Sequence, residues 1–345
     1  MMHTFRAAIV GCGPRAYWHA RAYRWVDRGE LVACCARNDE RRNRFAETFS
    51  IKGYADAVEM LRREKPDLVH LVTPPQTRVE LMNMVHEEKV PACIVEKPIA
   101  YEVRDWKALV RLASETRTKF GVGAQFRYHP DLSRCRAALQ SGHLGKLLFL
   151  DCSAVGTICD QGVHVIDWAM SLNDNEPVAR VFGTASGREN LTHHRHPSPD
   201  TTVAQLVFAN DVIGMWNLGY TAPRVVDDQA YFKHCRVAAY AELGRTLYEE
   251  FGKWEILAPH GIKAGQVADM QEWEAGNHAA QADLTNAMLD WLEDDRKPAG
   301  THLKRALEQW NVVLGLYASA VTHQPIDLPF EPPDDLWDAL AQTLT

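Results

Sequence analysis

No apolar run in this 345-residue sequence approaches the roughly 20 residues of a bilayer-spanning helix, so no membrane partner is expected. A basic excess is missing too: 38 Lys and Arg stand against 45 Asp and Glu, a formal net charge of -7. That balance offers no positive field to nucleic acid or to anionic lipid, and neither is expected as a partner. The opening MMHTFRAAIV runs straight into a strand pattern without the apolar stretch of a secretory signal, which points to the cytoplasm. Cysteine pairs are also lacking. The eight cysteines, at 12, 34, 35, 93, 135, 152, 159 and 235, show no two-residue spacing of a zinc or redox motif, and no metal is expected. Cys34, Cys35 and Cys93 lie inside apolar runs, where a reduced thiol packs as a hydrophobe. The run His193-His194-Arg195-His196 has no carboxylate or cysteine beside it and leads into Pro197-Ser198-Pro199, so it reads as a polar loop. Internal repeats, heptads and low-complexity tracts are absent as well.

What the chain does have is enough apolar side chains, 46% of the total, to build cores, and a length that suggests two of them. Up to about residue 123, short apolar runs (FRAAIV, LVACCA, DLVHLV, ACIV, KFGVG) alternate with amphipathic stretches over 15–26, 40–49, 78–86 and 103–113. That alternation predicts an α/β domain, a doubly wound parallel sheet of the Rossmann type, over residues 1–123. From about Gly145 the pattern changes. KLLFLDCSAVG, VARVFGTASG, TTVAQLVFA, VIGMWNLGY and CRVAAYA follow one another with short polar connections, and helical stretches over 279–293 and 303–320 come late. Residues 124–345 are therefore expected to form an α+β domain on a large, open, mainly antiparallel sheet, serving substrate binding and oligomerisation.

Directly after the strand AAIV stands Gly11-Cys12-Gly13-Pro14-Arg15-Ala16. Two glycines allow a tight turn and close approach to a pyrophosphate, and the following helix offers free N–H groups and its positive dipole end. With a strand before it and a helix and second strand after it, the motif predicts dinucleotide binding. An acidic residue at the end of the second strand would hold the ribose 2′-hydroxyl of NAD, but the chain has Ala36-Arg37-Asn38 there. Without that carboxylate a 2′-phosphate is not repelled, and Arg37, with Asn38 and Arg42 close by, supplies donors and positive charge for it. NADP is favoured on this reading, with NAD still possible.

Two further segments, Thr73-Pro74-Pro75 and Glu96-Lys97-Pro98, fall at the carboxyl ends of expected parallel strands, where open sheets bind ligands. Together with QFRYHPDLSRC after the first domain, Asp160-Gln161-Gly162-Val163-His164, and the late ASAVTHQPIDLP, they resemble the Gfo/Idh/MocA family of glucose-fructose oxidoreductases, inositol dehydrogenases and rhizopine catabolism proteins. If helical, Asp160 and His164 share one face. The resemblance implies that Lys97, Asp160 and His164 surround the reacting carbon beside the nicotinamide. It also implies a cis peptide before Pro98, a cofactor contact from Gln125, and weaker substrate contacts from Arg127, Tyr128 and Asp167; Glu96 reads as the local electrostatic partner of Lys97 or as a cofactor contact.

Oxidising a secondary alcohol removes a hydroxyl proton while hydride leaves carbon. Histidine titrates where that proton transfer needs it, so His164 reads as the acid/base group. Lys97 suits charge developing on the substrate oxygen, and Asp160 suits orienting the histidine or the substrate. The expected activity is NAD(P)-dependent hydride transfer at a secondary or anomeric carbon of a sugar, cyclitol or glycoside. Two alternatives stand beside it: a non-catalytic NADP-binding regulator, and a glycosidase- or epimerase-like enzyme with transient redox on a bound cofactor. Two features depart from the family pattern: a short approach to Asp160, and Arg78 where histidine is frequent. Arg78 would attract an anionic sugar acid, hold a cofactor phosphate, or sit in solvent. Alternating apolar residues in TTVAQLVFA and VIGMWNLGY predict an uncovered sheet face and a homodimer or homotetramer.

Overall fold

The computed structural model describes residues 3–187, 189, 192–193 and 196–344. The chain divides into two compact units. The first comprises Met1–Ala100, Asp105–Tyr128 and Ala275–Leu307; the second comprises Tyr101–Arg104, His129–Glu274 and Glu308–Thr345.

In the first unit six strands, β1 (Phe5–Val10), β2 (Gly29–Cys35), β3 (Lys52–Tyr54), β4 (Leu68–Leu71), β5 (Ala92–Val95) and β6 (Lys119–Val122), pair in parallel in the order 3-2-1-4-5-6. Helices α1 (Pro14–Ala22), α2 (Asp39–Phe49), α3 (Ala57–Glu64), α4 (Arg78–Glu87) and α5 (Val103–Glu115) follow β1 to β5 in turn. All residues of β4 and β5 are buried, as expected of central parallel strands with both faces covered. Asn38 accepts from the Arg41 amide to start α2, and Asp56 does the same for α3 from Glu59. The direction of winding reverses between β1 and β4, so the loops after these two strands flank the crevice where such sheets bind ligands. The core under β1 includes Phe5, Ala7, Leu68 and Ile94, packed with Ala282, Leu284, Met288 and Leu289 from the late helix Met270–Glu293.

In the second unit nine strands form a mixed sheet ordered β16-β15-β14-β13-β7-β12-β11-β8-β17. These are β7 (Leu147–Ala154), β8 (Val178–Ser186), β11 (Thr201–Phe208), β12 (Ile213–Gly219), β13 (Cys235–Ala241), β14 (Gly244–Glu249), β15 (Lys253–Ala258), β16 (Gly261–Gln266) and β17 (Ile326–Asp327). Only β7 and β12 run parallel; the other pairs are antiparallel. The remaining helices are α6 (Pro130–Gln140), α7 (Val163–Leu172), α8 (Met270–Glu293), α9 (Leu303–Thr322) and α10 (Leu336–Thr343). Along β11, Thr202, Ala204, Leu206 and Phe208 are buried and Val203 and Gln205 exposed, the alternation of a sheet with one face on a core. The fold class is the expected one: a Rossmann-type α/β sheet and a mainly antiparallel α+β sheet.

In the polyhistidine run, β9 (Thr192–His193) pairs with β10 (His196–Pro197), while His194 and Arg195 lie outside the described residues. All eight cysteines are buried, and none forms a disulfide. Among the described residues no group of three His, Cys, Asp or Glu is arranged to hold a metal, and no helix is long and apolar enough to cross a membrane.

Candidate active site

The glycine loop fits a dinucleotide for two separate reasons. Gly11 has φ +103°, and a Cβ there would lie 2.1 Å from the carbonyl oxygen of Val72, so the backbone itself demands glycine. A Cβ on Gly13 would meet nothing within 4 Å. Nothing in the protein requires glycine at that position, whereas a pyrophosphate approaching the backbone does. Gly13 is also the N-cap of α1, with no side-chain cap, Pro14 in the first turn and no acidic residue in that turn, so the helix end is left to an anion. Cys12 and Ala16 turn their side chains into the core beside Ile9, Cys34 and Phe45, which leaves only their main chain for a ligand.

Arg15 reaches sideways rather than toward that helix end. Its Nε donates to Glu96 Oε1 at 2.9 Å and its Nη2 to Gln281 Oε1 at 2.9 Å. At the end of β2, Asn38 is occupied as the cap of α2, and Arg42 donates to the Ala36 carbonyl at 3.0 Å and pairs with Asp39 at 2.7 Å. Arg37 is exposed, and no hydrogen bond or ion pair among the described residues holds it.

Beyond β4, Thr77 Oγ1 donates to Thr73 Oγ1 at 3.1 Å, and Pro75 is buried. Arg78, at the start of α4, is 1% exposed. Its Nη1 donates to the carbonyls of Glu96 and Pro98, the latter at 2.7 Å, and its Nη2 to that of Thr73 at 3.3 Å. Of the three roles open to Arg78 in the sequence, none describes this one: the guanidinium ties the loop after β4 to the segment after β5. The peptide between Lys97 and Pro98 is cis. From Ala92 to Ala100 every residue is buried except Lys97, which is half-buried.

Behind Glu96 runs a chain of buried polar groups that sequence reasoning missed. His19 Nε2 lies 2.6 Å from Glu96 Oε1, His19 Nδ1 lies 3.0 Å from His70 Nδ1, and Tyr23 Oη lies 2.7 Å from His70 Nε2. The visible signal was His70, a polar residue inside the apolar strand DLVHLV. Burial alone would push the Glu96 carboxyl up, but the Arg15 charge and the His19 hydrogen bond outweigh it and hold it well below the ordinary range. Burial lowers His19, and lowers His70 further. The buried Gln125 donates to Asn277 Oδ1 at 3.4 Å, the Tyr128 hydroxyl accepts from the Gly300 amide at 3.0 Å, and Arg127 is buried against Gly300.

In the second unit a single π-helical turn, Ile158–Gly162, opens α7, with the Thr157 side chain accepting from the Asp160 amide. Such turns often mark functional sites. Asp160 is half-buried, and its Oδ2 accepts from the Tyr231 hydroxyl at 2.9 Å. Tyr231 lies 71 positions away in sequence, and no local pattern announced it. Burial, then the Asp160 charge, raises the Tyr231 pKa, so the phenol stays a donor. His164 is 2% exposed, one turn along. Asp167 is buried, and its Oδ1 accepts from Gln309 at 2.7 Å. Asp160, His164 and Asp167 thus share the second unit, while Lys97 and the glycine loop belong to the first.

A parallel sheet ordered 3-2-1-4-5-6, with a glycine turn leading into an uncapped helix, defines a nucleotide-binding Rossmann domain. Residues 5–124 match the oxidoreductase family with an NAD-binding Rossmann fold known as Gfo/Idh/MocA. A D-apiose dehydrogenase of Paraburkholderia graminis is 31% identical over 142 residues, 41% of this chain and 38% of the relative. The matched stretch thus spans about two fifths of that relative's length. The rhizopine catabolism protein MocA of Rhizobium meliloti is 24% identical over 64% of this chain and 73% of its own length. An oxidoreductase from Agrobacterium radiobacter, solved with NAD+, L-tartaric acid and magnesium, superposes with TM-score 0.80 at 20% identity over 94% of this chain and 98% of its own. That last likeness concerns the fold.

Proposed function

We propose that the protein is an NAD(P)-dependent dehydrogenase or reductase acting on a CH–OH group of a sugar, cyclitol or glycoside. The observation that carries the reading is the glycine loop: open space beyond Gly13 at an uncapped helix end. The naming of relatives as D-apiose dehydrogenase and inositol 2-dehydrogenase supports the substrate class. Dinucleotide binding is assigned to 1–123, completed by 275–307, and substrate binding and self-association to the remainder of 124–345. Thr73, Pro74, Pro75, Glu96 and Gln125 are assigned to the cofactor's surroundings, and Arg127, Tyr128 and Asp167 more weakly to substrate.

When bound, the nicotinamide accepts or supplies the hydride. Lys97 donates a hydrogen bond to the substrate oxygen and stabilises charge developing there. His164 takes the hydroxyl proton in oxidation and returns it in reduction. Asp160, held by the Tyr231 hydroxyl, presents a fixed carboxylate that orients the histidine or the substrate. NADP is favoured because the exposed Arg37 at the end of β2 is open to a 2′-phosphate, whereas Asn38 caps α2 and Arg42 is engaged with Asp39 and the Ala36 carbonyl.

The test is a screen of sugars, inositols and sugar acids with NADP and NAD in parallel, following nicotinamide absorbance. Turnover lost on Lys97→Ala or His164→Ala, with cofactor binding retained, supports the assignment; unchanged turnover rejects it. Equal or better rates with NAD reject the NADP preference.

A further inference from the structure

We propose that Arg78 and His19 are positioning residues that clamp the Lys97 turn from two sides, one through its main chain and the other through Glu96. The inference rests on the assignment of Lys97 to the substrate oxygen.

The first side is the guanidinium of Arg78. The carbonyls it grips belong to Glu96 and Pro98, the residues immediately before and after Lys97, with Thr73 held by the second nitrogen. A buried cation costs several kcal/mol unless dipoles replace its water, so these three carbonyls and the guanidinium hold one another in place. A lysine ammonium is a single point donor and cannot span the same three acceptors in a planar fork.

The second side follows from donor and acceptor arithmetic. The Glu96 carboxylate only accepts, so His19 must present Nε2–H to it, which in a neutral ring leaves His19 Nδ1 as a lone pair. His70 then donates from Nδ1, and its Nε2 accepts from the Tyr23 hydroxyl. Every contact in Tyr23–His70–His19–Glu96 is satisfied in this one direction, and each imidazole is confined to one neutral tautomer. In this arrangement, protonating His19 would set its Nδ1–H against the Nδ1–H of His70 across 3.0 Å, and protonating His70 would set its Nε2–H against the hydroxyl hydrogen of Tyr23. Burial, which lowers both imidazoles, works toward the same neutral state. Glu96 is thereby fixed through one oxygen, Oε1, by both His19 and Arg15, one residue from Lys97.

The test needs no substrate. Full-length wild type, Arg78→Lys, Arg78→Met and His19→Gln are acetylated with N-hydroxysuccinimidyl acetate, and rates at individual lysines are read by peptide mass spectrometry. Released from either side, Lys97 is expected to react about tenfold faster in Arg78→Met and His19→Gln, and by a smaller factor in Arg78→Lys. The exposed Lys253 and Lys263 should keep their wild-type rates. A Lys97 rate within about twofold of wild type in both variants, or one rising in step with Lys253 and Lys263 as general loosening would make it, overturns the clamp. Turnover surviving Lys97→Ala would remove the catalytic assignment instead, and the labelling would still decide whether the clamp exists.

Discussion

Gly11 and Gly13 stand two residues apart and demand glycine for opposite reasons. At Gly11 both the positive φ and the Val72 carbonyl oppose a side chain, so Gly11→Ala should lower stability by about 2–3 kcal/mol, seen as a fall in melting temperature. At Gly13 the protein leaves room, so Gly13→Ala should melt near wild type while weakening dinucleotide binding about tenfold in a fluorescence titration. Equal losses of stability in the two variants would refute the contrast. Arg37→Ala should weaken NADP about tenfold and leave NAD nearly unchanged. The arginines at the end of β2 show how far single residues can be read in advance. Sequence marks Arg37, Asn38 and Arg42 as one cluster of donors with two positive charges, but only the fold shows Asn38 spent on a cap and Arg42 on Asp39 and a carbonyl. Arg78 was misjudged for a similar reason. Its partners are three main-chain oxygens from two loops, and backbone acceptors leave no trace in residue types.

At the level of elements, the strands legible in the sequence were those with apolar residues on both faces or in strict alternation. β3, β15 and β16, reading KGY, KWEILA and GIKAGQ, carry polar residues at exposed positions and lie at or next to sheet edges, and β14, GRTLYE, mixes half-buried polar residues with a buried Thr246, so burial imposes little pattern on any of them. The π turn before α7 was hidden as well, although its Thr157 cap was in plain view. Because the Tyr231 hydroxyl stabilises the charged form of Asp160, Tyr231→Phe should raise the Asp160 pKa, and the acid limb of the rate profile should move to higher pH. An unmoved limb would separate Tyr231 from the chemistry. The pair His19 and His70 sets an acid dependence of stability. Both are held below 6.5 in the folded state, so below pH 6.5 the unfolded chain binds more protons and stability falls. Glu96, depressed from 4.5, adds a further loss once the pH drops under that value. Melting temperature should therefore decline from pH 7 to pH 5, and more gently in His70→Gln.

Over the whole molecule, the nine-stranded sheet turns Phe182, Val203, Met215, Leu257 and Ile262 outward, all exposed. Cross-strand register puts Met215 and Phe182 on either side of Gln205, and Ile262 opposite Leu257, so these residues share one face. An apolar face of this kind suits a second copy of the chain, and light scattering should find a dimer that Met215→Glu with Val203→Glu dissociates. A monomer at micromolar concentration in the wild type would reject this.

The return of Ala275–Leu307 to the first unit has a consequence in time. Residues 1–123 leave the ribosome first, yet Leu284, Met288 and Leu289, which cover their core, and Gln281, which meets Arg15, are made more than 150 positions later. At the usual pace of synthesis, roughly 5–20 residues per second, the nucleotide-binding sheet waits on the order of ten seconds or more with that apolar surface bare. The second unit's strands emerge in the interval, so the nucleotide-binding unit is completed only after most of the second unit has been made.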